Sequence, residues 1–128
     1  MRCPRLAADV IIEHEGGVVL VRRKNEPYRG RWAIPGGFVE YGERVEEAAV
    51  REAAEETGLR VRIERIVGIY SDPNRDPRGH VVSICFAARS VGGALLPSSD
   101  ASEARVFRRP PRRLAFDHGK ILKDYGLI

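Results

Sequence analysis

Residues 37–59 constrain this chain more than any other stretch, because they join a glycine-rich turn to a single acidic helix. The periodicity predicts this helix at roughly residues 44–57, with Gly58 as its C-terminal stop. One face of the helix begins apolar and ends in carboxylates: Val45, Ala48, Ala49, Glu52, Glu55 and Glu56. These side chains share a face because positions i, i+3, i+4 and i+7 lie on one side of a helix.

The carboxylates on this face predict a metal site. Glu52 and Glu56 lie one turn apart and repel each other by roughly 0.2–0.5 kcal/mol when exposed, and by more when desolvated. Nothing basic on the same face offsets that repulsion, whereas Mg2+, which prefers carboxylate oxygens, would do so. The alternative is a solvated acidic face, supported by the i,i+4 pairs that Arg51 makes with Glu47 and Glu55.

The spacing of the whole stretch resembles the signature of the Nudix family, G-x5-E-x7-R-E-U-x-E-E-x-G-U, in which U is a bulky apolar residue. The chain matches every fixed position: Gly37, Glu43, Arg51, Glu52, Glu55, Glu56 and Gly58. Leu59 fits the last apolar position, whereas Ala53 is small for the other one. This match favours a metal site over a solvated face.

The resemblance implies an α/β (α+β) Nudix fold, in which a mixed β-sheet lies sandwiched between helices. It also implies a hydrolase that cleaves the P–O–P bond of a nucleoside diphosphate linked to another group, with Mg2+ as cofactor and Mn2+ as a substitute. The implied metal ligands are Glu52, Glu55, Glu56 and the carbonyl of Gly36. Arg51 and Glu43 are the implied orienting pair, and the general base is Glu52 or a carboxylate from a later loop.

Length and composition fit one domain spanning residues 1–128. The 43% hydrophobic and 31% charged content is typical of a soluble protein. No apolar run approaches a membrane helix and no signal-peptide pattern occurs, so we expect no membrane partner and a cytoplasmic location. The net charge of +4 comes from scattered basic residues, so no nucleic acid polymer is expected as a partner. Cys85 is expected to be a buried thiol.

Apolar runs between turn residues predict the remaining elements. Strands are expected at residues 6–12, 18–21, 32–34, 61–70, 80–89 and 105–107, and the first two form a hairpin. A loop rich in Gly, Pro and Ser is expected at 91–102, and a second helix at 114–124. This β-rich order with two helices is consistent with the implied fold.

The loop at residues 71–80 resembles that of the ADP-ribose pyrophosphatase-like branch of the family, in which a proline after the signature is a marker; Pro73 is close to that position. The segments 100–105 and 114–118 resemble the same branch. One departure is Val106, where relatives usually carry Trp. The resemblance therefore favours ADP-ribose as the substrate.

Charged residues in this loop are candidates for substrate binding. Arg75 and Arg78 are expected to contact the ribose or phosphates of the substrate. Asp72 and Asp76 are expected to accept hydrogen bonds from ribose hydroxyls. For each of them, the alternative is a turn cluster with local pairs.

Further candidates flank these motifs. Tyr28 and Phe38 are expected to stack on the base, with Trp32 and Tyr41 as additional aromatic candidates. Glu103 or Asp100 is expected to supply the later loop carboxylate, with a plain surface acid as the alternative. His118 is expected to pack or cap on the second helix.

Three functions stay open. The first is a diphosphatase that converts ADP-ribose to AMP and ribose 5-phosphate. The second is a house-cleaning (deoxy)nucleoside triphosphate pyrophosphatase, acting for example on 8-oxo-dGTP. The third is a non-catalytic nucleotide-sensing domain, whose usual mark is a broken signature, whereas this signature is intact. The resemblance also implies a homodimer.

Overall fold

The computed structural model describes residues 2–96 and 101–127, which form seven β-strands and two α-helices. In chain order these are β1 Arg5–His14, β2 Gly17–Arg23, β3 Trp32–Ala33, β4 Gly36–Phe38, α1 Val45–Thr57, β5 Leu59–Tyr70, β6 Val81–Gly93, β7 Ala101–Phe107 and α2 His118–Tyr125.

Strand β1 lies at the centre of a mixed sheet. It pairs in parallel with β6 and antiparallel with β2, the second strand of the predicted hairpin. Along its first half it also pairs antiparallel with β4, so that Gly36 lies opposite Asp9. The hydrogen-bonded neighbours run β3-β2-β1-β6-β5, with β7 joined to β2. This pairing places the glycine-rich turn before α1 against the middle of the sheet.

One helix packs on each face of the sheet. Alternate residues of β1 point to opposite faces, so neighbouring residues of this strand contact different helices. On one face, Val10 packs in a cluster with Ala49 of α1. On the other face, Ile11 packs with Ile121 and Leu122 of α2. The predicted α/β (α+β) fold, with a mixed sheet between helices, is therefore confirmed.

The boundaries of α1 agree with the prediction to within one residue. At its start, the Arg44 N–H donates to Glu47 Oε1 at 2.9 Å, which satisfies a backbone group that has no partner within the helix. At its end, Gly58 adopts the left-handed conformation with φ of 79°. A Cβ there would collide with the carbonyl of Ala94. Gly58 is thus required both by its backbone angle and by the close approach of another segment.

Three strands differ from the prediction. Residues 91–93 belong to β6 rather than to a loop, because they pair with β5, and this pairing outweighs the low strand propensity of glycine. Strand β4 is absent from the sequence-based elements, since its residues are held only by pairing with β1. Strand β7 begins at Ala101, four positions before the predicted start. All three differences come from partners distant in sequence.

The second helix begins at His118 rather than at Leu114. Phe116 has φ of 52°, which lies outside the helical region. The Ala115 N–H donates to the Trp32 carbonyl at 2.9 Å, so this segment is tied to β3. Residues 114–117 therefore form a strained connection that leads into α2.

The expectation for Cys85 is met. Cys85 is fully buried on β6, and burial raises the pKa of its thiol. None of the helices in residues 2–96 and 101–127 has the length and apolar character needed to cross a membrane.

The two constraints on Gly58 predict a stability loss larger than that of a glycine with the backbone constraint alone. Gly42 is the matched control, because its φ is 85° but no atom lies within 4 Å of an added Cβ. We expect Gly42→Ala to lower the free energy of unfolding by about 1 kcal/mol, and Gly58→Ala to lower it by about 2 kcal/mol or more. Urea unfolding measures both, and equal losses would show that the contact with Ala94 carries no cost.

Candidate active site

Arg51 joins the charged residues of the signature. Its Nε and Nη2 donate to the two oxygens of Glu43 at 2.7 and 3.0 Å. Its Nη1 donates to Glu52 at 2.8 Å and to Glu55 at 3.2 Å, and Nη2 also donates to the Phe38 carbonyl at 3.2 Å. One guanidinium therefore orients three carboxylates and the end of β4. The predicted contact between Arg51 and Glu43 is thus present, and the role of this pair in catalysis stays a prediction.

The pairing shifts the pKa of both partners in the direction that favours their charged forms. The hydrogen bonds from Arg51, followed by one from the Glu40 backbone, lower the pKa of the Glu43 carboxyl to about 2. The hydrogen bonds of Glu43 raise the pKa of Arg51, against the opposing effect of burial. A bidentate carboxylate–guanidinium pair is the strongest such geometry. Both groups therefore remain charged over the whole physiological pH range.

Glu52 and Glu56 approach the same stretch of backbone from consecutive turns of α1. The Gly36 N–H donates to Glu56 Oε2 at 3.0 Å. A Cβ at Gly37 would lie 2.5 Å from Glu52 Oε1, so the carboxylate of Glu52 fills the space that a side chain would occupy. Glu52 is 9% exposed, whereas the side chain of Glu55 is 50% exposed. Of the three carboxylates on α1, Glu52 is therefore buried, Glu56 is half-buried and Glu55 is exposed.

This donor set fits a hard divalent cation. Among residues 2–96 and 101–127, no three His, Cys, Asp or Glu side chains already converge in a metal-binding arrangement. The carboxylates instead accept hydrogen bonds from Arg51 and from Gly36. Even so, Glu52 and Glu56 meet at one backbone segment and offer only oxygen atoms, the ligands that Mg2+ prefers. The metal-ligand roles of Gly36, Glu52, Glu55 and Glu56 stay a prediction.

A cleft of about 70 Å³ opens beside this backbone. Its polar lining includes residues from both the signature and the later loop: Asp9, Arg22, Arg23, Glu56, Arg75, Asp76, Arg78, Ser83 and His118. Gly36, Gly37 and Phe116 also contribute to its wall. The cleft therefore connects the carboxylate face of α1 with the loop that the sequence assigns to substrate binding.

Arg78 and Arg23 form a basic wall of this cleft. The nearly buried carboxylate of Asp76 accepts from Arg78 Nη2 at 2.8 Å and from Nε at 3.1 Å. The Arg78 guanidinium lies 5.2 Å from the ring of Phe38 and 5.4 Å from that of Phe116, and Arg23 lies 5.0 Å from Phe116. Burial lowers the pKa of Arg23, and the nearby charge of Arg78 lowers it further. Two guanidiniums this close suit a phosphate-rich ligand.

Arg75 lies beneath the cleft surface. Its Nε and Nη2 donate to Asp117 at 2.8 and 2.6 Å, and its Nη1 donates to Ser83 at 2.8 Å. The side chain is only 5% exposed. All three nitrogens are engaged within the protein, so the structure uses Arg75 as a brace between the loop, β6 and the start of α2. Its contact with substrate stays a prediction.

Asp9 is a carboxyl at the floor of the cleft and is 6% exposed. Burial raises its pKa to about 7, although the charge of Arg75 and a hydrogen bond with Ser83 oppose the shift. Its Oδ2 is buried and has no hydrogen-bond partner among the described residues. Asp9 is thus the carboxyl of this region that is least satisfied by the protein.

His118 is structural, as predicted. Its Nδ1 accepts a hydrogen bond from the Ile34 N–H at 2.9 Å, and the ring is 5% exposed. Burial lowers its pKa to about 3. The ring is therefore neutral, and it joins the start of α2 to the chain just before β4.

Several predicted site residues lie apart from the cleft. Asp72 Oδ1 accepts from the Asn74 N–H at 2.8 Å in an exposed turn. Tyr28 packs edge-on against Phe116 with ring centroids 4.8 Å apart, without lining the cleft. Two guanidiniums already lie over the ring of Phe38. The expected ribose contact of Asp72, and the expected base stacking of Tyr28 and Phe38, stay predictions.

Glu103 lies on β7 rather than in the predicted loop. Its carboxylate accepts from Arg22 at 3.0 Å and from Arg105 at 2.7 Å, and the hydrogen bond from Arg22 lowers its pKa. Glu103 is not among the residues that line the cleft, and its catalytic role stays a prediction. Asp100, the alternative, lies outside the described residues.

Two cleft residues, Asp9 and Arg23, are missed by sequence reasoning. Asp9 is the single charged residue in the apolar run at 6–12, and a lone charge in a strand buried on both faces is a signal for a functional group. Arg23 ends β2 within a basic run, and nothing in its local sequence distinguishes it from Arg22. The sequence therefore contains a signal that could have identified Asp9, and it contains none for Arg23.

The comparison with known proteins identifies the class. Residues 4–125 match the NUDIX domain, and the chain belongs to the Nudix family. With this match and an intact signature, it is a Nudix pyrophosphohydrolase, similar to the ADP-ribose pyrophosphatase-like branch of that family.

Individual relatives agree with this placement. The chain is 53% identical to a protein of Methanocaldococcus jannaschii named ADP-ribose pyrophosphatase, over 95% of this chain and 73% of that protein. It is 38% identical to a putative 8-oxo-dGTP diphosphatase of Bacillus subtilis, over 93% of this chain and 87% of the relative. The NUDIX domain of Shewanella oneidensis NrtR, solved with ADP ribose, superposes with a TM-score of 0.82 at 26% identity, covering 98% of this chain and 88% of that chain.

The contact between Gly37 and Glu52 predicts that Gly37→Ala reduces activity more than stability. The added Cβ would meet the flexible end of Glu52 at 2.5 Å, so the carboxylate must move while the backbone keeps an ordinary conformation. We expect activity to fall by about 100-fold and the free energy of unfolding to fall by no more than about 1 kcal/mol. Gly119→Ala, with no atom within 4 Å of its Cβ, is the control. Full activity in Gly37→Ala would show that the position of Glu52 is not critical.

The depressed pKa of His118 predicts acid sensitivity. Between the unfolded value of about 6.5 and the folded value of about 3, the unfolded chain binds a proton that the folded chain does not. The stabilisation is complete above pH 6.5 and falls by about 1.4 kcal/mol per pH unit below it. His118→Asn retains an acceptor for Ile34 but does not titrate, so its curve should decline less steeply in chemical unfolding. Parallel curves would contradict the assignment.

Proposed function

We propose that this chain hydrolyses ADP-ribose to AMP and ribose 5-phosphate, with Mg2+ as the cofactor and Mn2+ as a substitute. The observation that carries the proposal is the 53% identity to the archaeal protein named ADP-ribose pyrophosphatase. The joining of the carboxylate face and the basic wall in one cleft supports it. Together they offer oxygen ligands for metal and cationic donors for a diphosphate.

Metal would be held by Glu52, Glu56 and the carbonyl of Gly36, with Glu55 at the exposed side. When bound, divalent ions neutralise charge on the phosphate oxygens and lower the pKa of a coordinated water. The chain supplies the orientation, because Arg51 fixes Glu52 and Glu55 from one side.

Hydrolysis requires a water oxygen to attack one phosphorus while the bridging P–O bond breaks and the departing phosphate oxygen takes the bonding pair. Glu52 is our candidate for the base that accepts the proton of this water, since it is nearly buried and fixed at Gly37. Glu103, the other candidate, is held by Arg22 and Arg105 away from the cleft lining. We expect Arg23 and Arg78, which line the cleft, to bind the phosphate oxygens of the substrate.

A triphosphate pyrophosphatase is the second candidate, favoured by the similarity to the putative 8-oxo-dGTP diphosphatase. It would use the same carboxylates and release pyrophosphate. A product assay with Mg2+ on ADP-ribose, the four dNTPs and 8-oxo-dGTP separates the two functions. AMP and ribose 5-phosphate formed in preference to pyrophosphate support our proposal, and pyrophosphate formed while ADP-ribose stays intact overturns it.

Removal of one ligand charge tests the metal assignment. We expect Glu56→Gln to lower activity by more than about 100-fold and to leave the fold intact, because the amide oxygen still accepts from Gly36. Glu46→Gln is the matched control, since it makes the same substitution on an exposed position of α1, and its activity should equal that of the wild type. Full activity in Glu56→Gln, or unfolding of that variant, would contradict the assignment.

We also propose a homodimer in the cytoplasm. The edge strand β5 exposes Ile66 at 57% and Ile69 at 64%, and such an edge favours association. Light scattering in solution should give twice the chain mass of 14.3 kDa; the mass of a single chain would overturn the dimer. Cell fractionation tests the location.

A further inference from the structure

Asp9 has no role in the proposed metal centre or in the basic wall. It lies on β1, where Ala8 and Val10 face the core on the side of α1. Side chains alternate along a strand, so Asp9 points to the α2 side together with Ile11. A carboxyl in such a strand costs free energy unless it is hydrogen-bonded or used.

The protein fixes the position of this carboxyl but leaves one of its oxygens without a hydrogen bond from the described residues. Ser83 hydrogen-bonds to it and in turn accepts from Arg75 at 2.8 Å. Arg75 is fixed by its bidentate pair with Asp117. One oxygen of Asp9, Oδ2, remains buried with no partner among the described residues. A fixed acceptor with an unused lone pair is arranged to receive a donor from a ligand.

The location of Asp9 places that ligand on the substrate side of the protein. Asp9 lies opposite Gly36 in the register of β1 and β4, and it lines the same cleft as Gly37 and Glu56. A molecule whose diphosphate lies at Arg23 and Arg78 therefore extends one of its flanking groups toward Asp9.

The chemistry of Asp9 indicates which part of the molecule it receives. A carboxylate oxygen accepts hydrogen bonds, and the hydroxyls of a ribose donate them. Asp9 lines the cleft, and its Oδ2 has no donor among the described residues. The other two carboxylates expected to bind ribose already accept hydrogen bonds within the protein, Asp76 from Arg78 and Asp72 from the Asn74 N–H.

We propose that Asp9 Oδ2 accepts a hydrogen bond from a ribose hydroxyl of the substrate and so selects ribosyl over deoxyribosyl ligands. The proposal rests on the proposed function, since it takes the ligand to be a diphosphate flanked by two riboses. Asp9 is therefore a specificity-determining residue, and Ser83, Arg75 and Asp117 are its positioning residues.

The test removes the hydroxyl from the ligand and the acceptor from the protein, separately and together. Calorimetry in EDTA compares AMP with 2′-deoxy-AMP and 3′-deoxy-AMP, and ribose 5-phosphate with 2-deoxyribose 5-phosphate. In one of these two series, the wild type should bind the ribosyl ligand about tenfold more tightly than the deoxy ligand. Asp9→Leu should reduce the ratio of the two affinities to about one, because the ribose hydroxyl then has no acceptor at this position. The series that responds identifies which ribose Asp9 contacts.

A second variant and a control keep the test decisive. Asp9→Ala, which removes both oxygens without adding volume, replaces Asp9→Leu if the latter does not fold, and it should also reduce the ratio to about one. Asp124→Ala, which removes a carboxylate at an exposed position of α2 that does not line the cleft, should leave the ratio at the wild-type value. An unchanged ratio in folded Asp9 variants overturns the proposal. A loss of Mn2+ affinity in those variants also overturns it, since Asp9 would then belong to the metal centre.

Because binding in EDTA needs no turnover, the outcome is independent of the product assay. If the wild type leaves ADP-ribose intact, the proposed function fails, whereas a lost ratio for AMP in Asp9→Leu still supports the role of Asp9. If ADP-ribose is hydrolysed and neither series responds, the role of Asp9 fails alone.

Discussion

The site depends on one guanidinium, that of Arg51, held among carboxylates that would otherwise repel one another. Glu52 and Glu55 extend from one helix within a single turn, and Glu43 approaches from its start. Without a cation between them, like charges at this spacing destabilise the helix. Arg51 gives each carboxylate at least one charge-assisted hydrogen bond and extends a further one to the end of β4. Lysine offers no planar fork of donors and would not reproduce this geometry.

A second charged network, centred on Arg75, lies at the cleft. Arg75 joins Asp117, at the start of α2, to Ser83 on β6, and Ser83 joins Asp9 on β1. This network rigidifies three distant segments but leaves one oxygen of Asp9 unused. The neutral ring of His118 closes the same region by accepting from the backbone before β4. The protein thus contains two preorganised networks, and we propose that one serves the metal and the other the sugar of the substrate.

The local parts of this design could be predicted from sequence, and the long-range parts could not. The helix α1 and its stop at Gly58 follow from local spacing, where geometry is fixed by the helix itself. The pair of Arg51 with Glu43 is predicted from the resemblance to the Nudix signature, since Glu43 lies before the helix. By contrast, β4 exists only because β1 pairs with it. The engagement of Arg75 by Asp117 joins residues 42 positions apart, so the sequence gives no sign that Arg75 also braces these two segments. Asp9 is visible in the sequence as a lone charge in an apolar strand. Its position at the cleft depends on residues distant in sequence and is seen only in the structure.

The most direct test of the joined metal and substrate sites is a crystal structure with Mn2+ and a non-hydrolysable ADP-ribose analogue. Anomalous scattering from manganese locates the metal independently of the ligand. We expect the metal beside Glu52, Glu56 and the Gly36 carbonyl, the diphosphate at Arg23 and Arg78, and a ribose hydroxyl at Asp9. Manganese bound away from α1, or an analogue outside this cleft, would contradict the assignment.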